Sequence, residues 1–142
     1  MQMDKTIKYL VEKANALVSE GKRTTHPRRD EERLQKSCVN WFRLQYPGLS
    51  LLLFHPANGE RRDAITGAKL KAMGVVPGVA DLILLEPRHG YGTLCIELKT
   101  AKGKLSPNQN DWGDAVTCAG NKYVVVRSLD EFMKVVKQYL ND

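Results

Sequence analysis

Val79-Ala80-Asp81-Leu82-Ile83-Leu84-Leu85 and, past a loop from Glu86 to Gly92, Thr93-Leu94-Cys95-Ile96-Glu97-Leu98-Lys99-Thr100 decide how this chain is read. The first run is almost continuously apolar, as expected of a strand covered on both faces. The second alternates, with Leu94, Ile96 and Leu98 on one face and Cys95, Glu97 and Lys99 on the other, because successive strand side chains point in opposite directions. Two adjacent strands joined by a short loop suit a hairpin. Asp81 interrupts the apolar run, and a buried carboxylate without a partner is costly. A cation, either a metal or a neighbouring side chain, would account for its presence.

Working outward, Leu49 to Phe54 reads as a further strand. The turn-rich loop His55-Pro56-Ala57-Asn58-Gly59-Glu60-Arg61-Arg62 follows, then a short helical segment from Ala64 to Met73, and Pro77-Gly78 breaks the chain. Ser106-Pro107 opens a helix with Trp112 and Val116 inward, Lys122 to Arg127 is a fourth strand, and Ser128 to Leu140 a closing helix. Ahead of the strands, a helix that begins near Asp30 and ends before Pro47-Gly48 gathers Leu34, Cys38, Trp41, Phe42 and Tyr46 on one side, with Glu31 at the centre of that apolar face. Residues 4–19 place Ile7, Leu10, Val11, Ala14 and Leu17 at helical spacing. The polar stretch Glu20 to Arg29 reads as a linker or a nucleic-acid-touching arm. The result is an α/β order of helix, three strands, helix, strand, helix, with an extra leading helix. Residues 1–29 are expected to form a helix and basic arm, and 30–142 the main domain.

Composition narrows the functional classes. A chain of 142 residues, 42% hydrophobic, buries one core but hardly two. Its net charge of +6 favours a polyanionic partner, nucleic acid first. Cys38, Cys95 and Cys118 are odd in number and form no Cys-x-x-Cys pair, so neither a disulfide framework nor a zinc ribbon is indicated. Neither a signal-type start nor a membrane-length apolar run is present, and a reducing cytoplasm is the expected location.

Hydrolysis of a phosphodiester needs divalent ions held by converging carboxylates, which Asp81 and Glu97 can supply. Lys99 projects from the same strand face as Glu97, where its ammonium could position water or neutralise charge building on phosphorus. Pro77-Gly78-Val79-Ala80-Asp81, then Ile96-Glu97-Leu98-Lys99, resemble the split Asp…Glu-x-Lys signature of the PD-(D/E)XK nuclease superfamily. Glu31-x-x-x-Gln35, the Pro56-Ala57-Asn58-Gly59-x-Arg61 loop, Gly74-x-x-Pro77-Gly78 and Ser106-x-x-Gln109-x-x-Trp112 narrow the resemblance to the virus-type replication-repair nuclease (VRR-Nuc) domain, over about Asp30 to Leu140. That resemblance implies a restriction-endonuclease-like α/β core with a mixed central sheet flanked by helices. It also implies Mg²⁺ dependence, with Mn²⁺ able to substitute, and cleavage of branched DNA by a homodimer encoded by a bacterium or phage. Asp81 and Glu97 then take the roles of metal ligands, with the Leu98 carbonyl contributing. Lys99 takes that of the family lysine, Glu31 that of the helix-borne carboxylate and Gln109 that of the glutamine near the lysine. The sequence reads Pro-Ala-Asn-Gly where the family more usually has Pro-Asn-Gly-Gly.

Each feature has a plainer reading. Glu-x-Lys alone says little, since Glu20-Gly21-Lys22 matches it in a polar segment. Gln109 also completes a capping box with Ser106, a use that competes with the site. Glu31 could serve only the helix dipole, and His55 is either a strand-end residue or a general base. His26 and His89 read as surface residues. Lys22, Arg23, Arg28, Arg29, Arg61, Arg62, Lys69 and Lys71 are a solvated face unless DNA binds, when they and Asn58 become the phosphate contacts. The rival functions are a non-catalytic nuclease-fold module that binds DNA or protein, and a sequence-specific restriction-type endonuclease.

Overall fold

Five consecutive residues, Leu94–Leu98, form one strand, and all five are buried. The computed structural model describes residues 5–19, 27–57 and 64–141. Among these, β1 (Leu53–Phe54), β2 (Leu82–Leu84), β3 (Leu94–Leu98) and β4 (Lys122–Val126) lie side by side in that order in one sheet. The β1–β2 and β2–β3 pairs are antiparallel and β3–β4 is parallel. A parallel step needs a crossover, which is the helix Pro107–Cys118.

The helices, numbered in chain order, are α1 (Lys5–Ser19), α2 (Pro27–Gln45), α3 (Ala64–Ala72), α4 (Pro107–Cys118) and α5 (Leu129–Leu140). Leu82, Leu84, Leu94, Ile96, Leu98 and Val126 join one buried cluster with the apolar stripes of α2 and α5. The α2 stripe is Leu34, Cys38, Trp41 and Phe42; the α5 stripe is Leu129, Phe132, Met133, Val136 and Tyr139. Trp41 meets Phe132 edge to face at 5.9 Å, tying the two helices together. Val11 and Ala14 of α1 belong to the same cluster. On the opposite side of the sheet α4 packs on β4 so closely that a Cβ at Gly113 would lie 2.8 Å from the Tyr123 ring.

Several local readings are corrected. The strand covered on both faces is β3, whereas β2 is shorter than Val79–Leu85, with Ile83 half-buried and Leu85 exposed. β3 lies inside the sheet, with the apolar cluster on one face and α4 on the other; β2 has only the two-residue β1 beyond it. Leu49 to Phe54 is not one strand: Pro47–Leu49 is a 3₁₀ turn, and only Leu53 and Phe54 pair. α2 begins at Pro27, three residues before Asp30, so Arg28 and Arg29 stand exposed on its first turn and not in an arm. Trp112 and Val116 are only half-buried.

Candidate active site

Leu82 pairs with Ile96 across the hairpin, so extending the register by one step sets Asp81 opposite Glu97. Side chains directly opposite on antiparallel strands share a face with Cβ atoms about 4.5–5.5 Å apart. Two carboxylates therefore meet at the start of β2. Asp81 is held at two points: Oδ2 accepts from the Leu98 amide at 2.8 Å, and its carbonyl accepts from His55 Nδ1 at 2.6 Å.

Glu97 is 1% exposed. Its Oε1 accepts from Gln109 Nε2 at 2.8 Å and lies 3.4 Å from Lys99 Nζ. Its Oε2 is buried without a hydrogen-bond partner. Burial first, and the Asp81 carboxylate second, push the Glu97 pKa up to about 8 against the lowering pull of Lys99. When both are ionised, the pair carries two negative charges against the single Lys99 cation beside it.

Gln109 resolves the expected conflict between its two roles by using both ends of its amide. Its Oε1 accepts from the Ser106 amide at 2.9 Å and its own backbone amide donates to Ser106 Oγ at 3.2 Å, closing the capping box. Its Nε2 is thereby aimed at Glu97. The α4 N-terminus is placed by Gly78, whose φ is +82° and whose Cβ, if present, would lie 2.3 Å from the Asn108 carbonyl oxygen. Bare backbone at Gly78 lets the loop that carries Asp81 lean on the turn that carries Gln109. From sequence Pro77-Gly78 reads as a chain break and as part of the family motif, without this close approach.

Among the described residues no three His, Cys, Asp or Glu side chains form a ready-made metal cage. The donor set nevertheless suits Mg²⁺, which keeps several waters and binds through one or two carboxylates plus substrate phosphate. Asp81 and the unpartnered Glu97 Oε2 could hold such an ion, with the Leu98 backbone alongside.

The sequence model of the VRR-NUC domain family matches residues 19–130. The chain belongs to the VRR-NUC domain family. A solved structure of a VRR_NUC domain protein shares its fold with a TM-score of 0.69 and 28% identity, over 78% of this chain and 87% of that one. No curated protein matches the chain. The expected α/β nuclease-like fold is therefore present, and the chain carries a nuclease-type domain.

Around this centre the VRR-NUC domain brings some expected residues close. Glu31 is half-buried on α2, and its pKa is raised, chiefly by burial, with Lys99 and a Thr100 amide hydrogen bond pulling it down and Asp81 pushing it up. Glu31 and Lys99 both line a cavity of about 320 Å³, together with Leu34, Thr100 and Arg127. Arg28, Arg29, Lys69 and Lys71 are exposed, whereas Asn58, Arg61, Arg62, Lys22, Arg23 and His26 lie outside the described residues. His89 sits exposed in the β2–β3 loop with its ring edge-on to Tyr139.

Two residues of the VRR-NUC domain went unnoticed in the sequence. Arg127 donates to the Thr100 and Gly103 carbonyls, both at 2.7 Å, and so braces the loop that leaves Lys99. Tyr123 pairs in register with Cys95, and its hydroxyl is buried without a partner. Burial first, then the nearby Glu97 and Asp81 charges, raise its pKa. Neither position carries a sequence signal until the β3–β4 register is known.

Proposed function

We propose that this chain is a Mg²⁺-dependent DNA endonuclease, able to use Mn²⁺, that acts on branched DNA as a homodimer. The observation that carries the reading is the half-buried Asp81 set opposite the buried Glu97, with an unpartnered Glu97 Oε2 and Lys99 3.4 Å from the other oxygen. Bound there, a Mg²⁺ ion would polarise the scissile phosphate and acidify a water. Lys99 orients that water and offsets charge developing on the phosphate oxygens. Gln109 donates to Glu97 Oε1 and so orients its carboxylate, and Glu31 supplies a further carboxylate on the Lys99 side. The net charge of +6 and the exposed Arg28, Arg29, Lys69 and Lys71 support a DNA backbone as partner; Asn58, Arg61 and Arg62 complete the proposed contact set.

The test is a cleavage panel on linear duplex, flap and four-way-junction DNA, with and without Mg²⁺ or Mn²⁺. Branched DNA is cut only with metal, and Asp81→Asn, Glu97→Gln and Lys99→Ala each abolish cutting while circular dichroism stays native. Metal-free binding of DNA with no cleavage by any protein would instead identify a binding module. Preference for one sequence in linear duplex would identify a restriction-type enzyme.

A further inference from the structure

The geometry points to His55 as the positioning residue for Asp81, an inference that rests on the metal-site reading above. His55 directly follows β1, whose Phe54 pairs with Ile83. Continuing that register puts His55 across from Leu82, one residue from Asp81. From there Nδ1 lies 2.6 Å from the Asp81 carbonyl oxygen. A carbonyl can only accept, so Nδ1 carries the proton and donates.

Two strands hold Asp81 through different parts of the residue. It sits just outside β2, after a Pro-Gly turn, and its side chain is tied to β3 through the Leu98 amide at 2.8 Å. The His55 bond secures the backbone of the same residue from the opposite neighbour, β1. Held by carbonyl on one side and by carboxylate on the other, Asp81 cannot swing away from Glu97 when their charges repel. The outer partners of metal-ligating groups typically contribute 10–100-fold to metal affinity or activity.

The experiment compares His55→Ala, His55→Asn and His55→Gln with wild type and Asp81→Asn. It measures Mn²⁺ affinity by electron paramagnetic resonance and, in metal-free protein, amide exchange at Leu98, whose N–H reports the Asp81 carboxylate. Asn places its side-chain N–H where His55 has Nδ1, and Gln one atom too far. His55→Ala and His55→Gln are expected to lose about tenfold or more in Mn²⁺ affinity and to exchange Leu98 faster, while His55→Asn recovers both. If His55→Ala melts too low to assay, the contrast between Asn and Gln decides. Wild-type Mn²⁺ affinity in both His55→Gln and whichever of the variants fold, alongside loss of Mn²⁺ by Asp81→Asn, overturns the role of His55 and leaves the nuclease reading standing. Equal Mn²⁺ binding by wild type and Asp81→Asn overturns both.

Discussion

Folding raises the pKa of Glu97, and this sets a pH dependence. Its ordinary pKa of 4.5 rises to about 8 on folding, through burial and then the Asp81 charge. The protonated form favours the fold, so this stabilisation is complete below pH 4.5 and is lost as pH climbs towards 8. In chelator-treated protein, the melting temperature should fall by several degrees between pH 5 and pH 8, and Glu97→Gln should flatten that fall. Mg²⁺ affinity should rise over the same interval, because proton and ion compete for the same oxygens; titration calorimetry checks it. At Gly78 the demand is steric: a left-handed φ costs an L residue about 1–2 kcal/mol, and the 2.3 Å approach to Asn108 adds to it. Gly78→Ala should therefore lower the melting temperature and, by displacing Gln109 from Glu97, depress cleavage more than stability.

At the scale of elements, α4 joins a cap to a contact with the proposed site. Ser106→Ala removes the side-chain acceptor of the capping box at a cost of about 1 kcal/mol. Gln109→Ala removes the reciprocal bond and also leaves Glu97 Oε1 without its 2.8 Å donor, a further penalty of roughly 1–3 kcal/mol. The expected order in denaturant melts is wild type, Ser106→Ala, then Gln109→Ala, with cleavage lost only in the last. The capping box was legible because Ser-x-x-Gln before an inward-facing stretch is a local pattern. That one glutamine serves both cap and carboxylate was not legible, since it depends on where β3 passes beneath the helix. The two central strands were likewise recognisable, but their burial was interchanged: periodicity reports the chemistry of a strand, while coverage depends on which helix lies over it.

Across the whole molecule, the β1 edge of the sheet leaves Leu51 94% exposed, with Phe54 and Leu85 also exposed. The homodimer proposal needs a self-complementary surface, and this exposed apolar edge is the one we propose for it. Sedimentation should then give a dimer that Leu51→Asp with Phe54→Asp converts to monomer, with junction cleavage reduced and the melting temperature within a few degrees of wild type. The sequence by itself determined the order of elements, the mixed α/β class and the family, and it singled out Asp81, Glu97 and Lys99 as candidates for the site, because alternation, helical spacing and motif residues are properties of neighbours along the chain. Only the tertiary structure decided that Asp81 stands opposite Glu97, that Gln109 reaches Glu97 from a capped helix, that His55 and Tyr123 lie beside the pair, and that Arg127 braces the loop after Lys99. Those relations depend on strand register and on helix-to-sheet contact between segments far apart in the chain, and no local pattern encodes either.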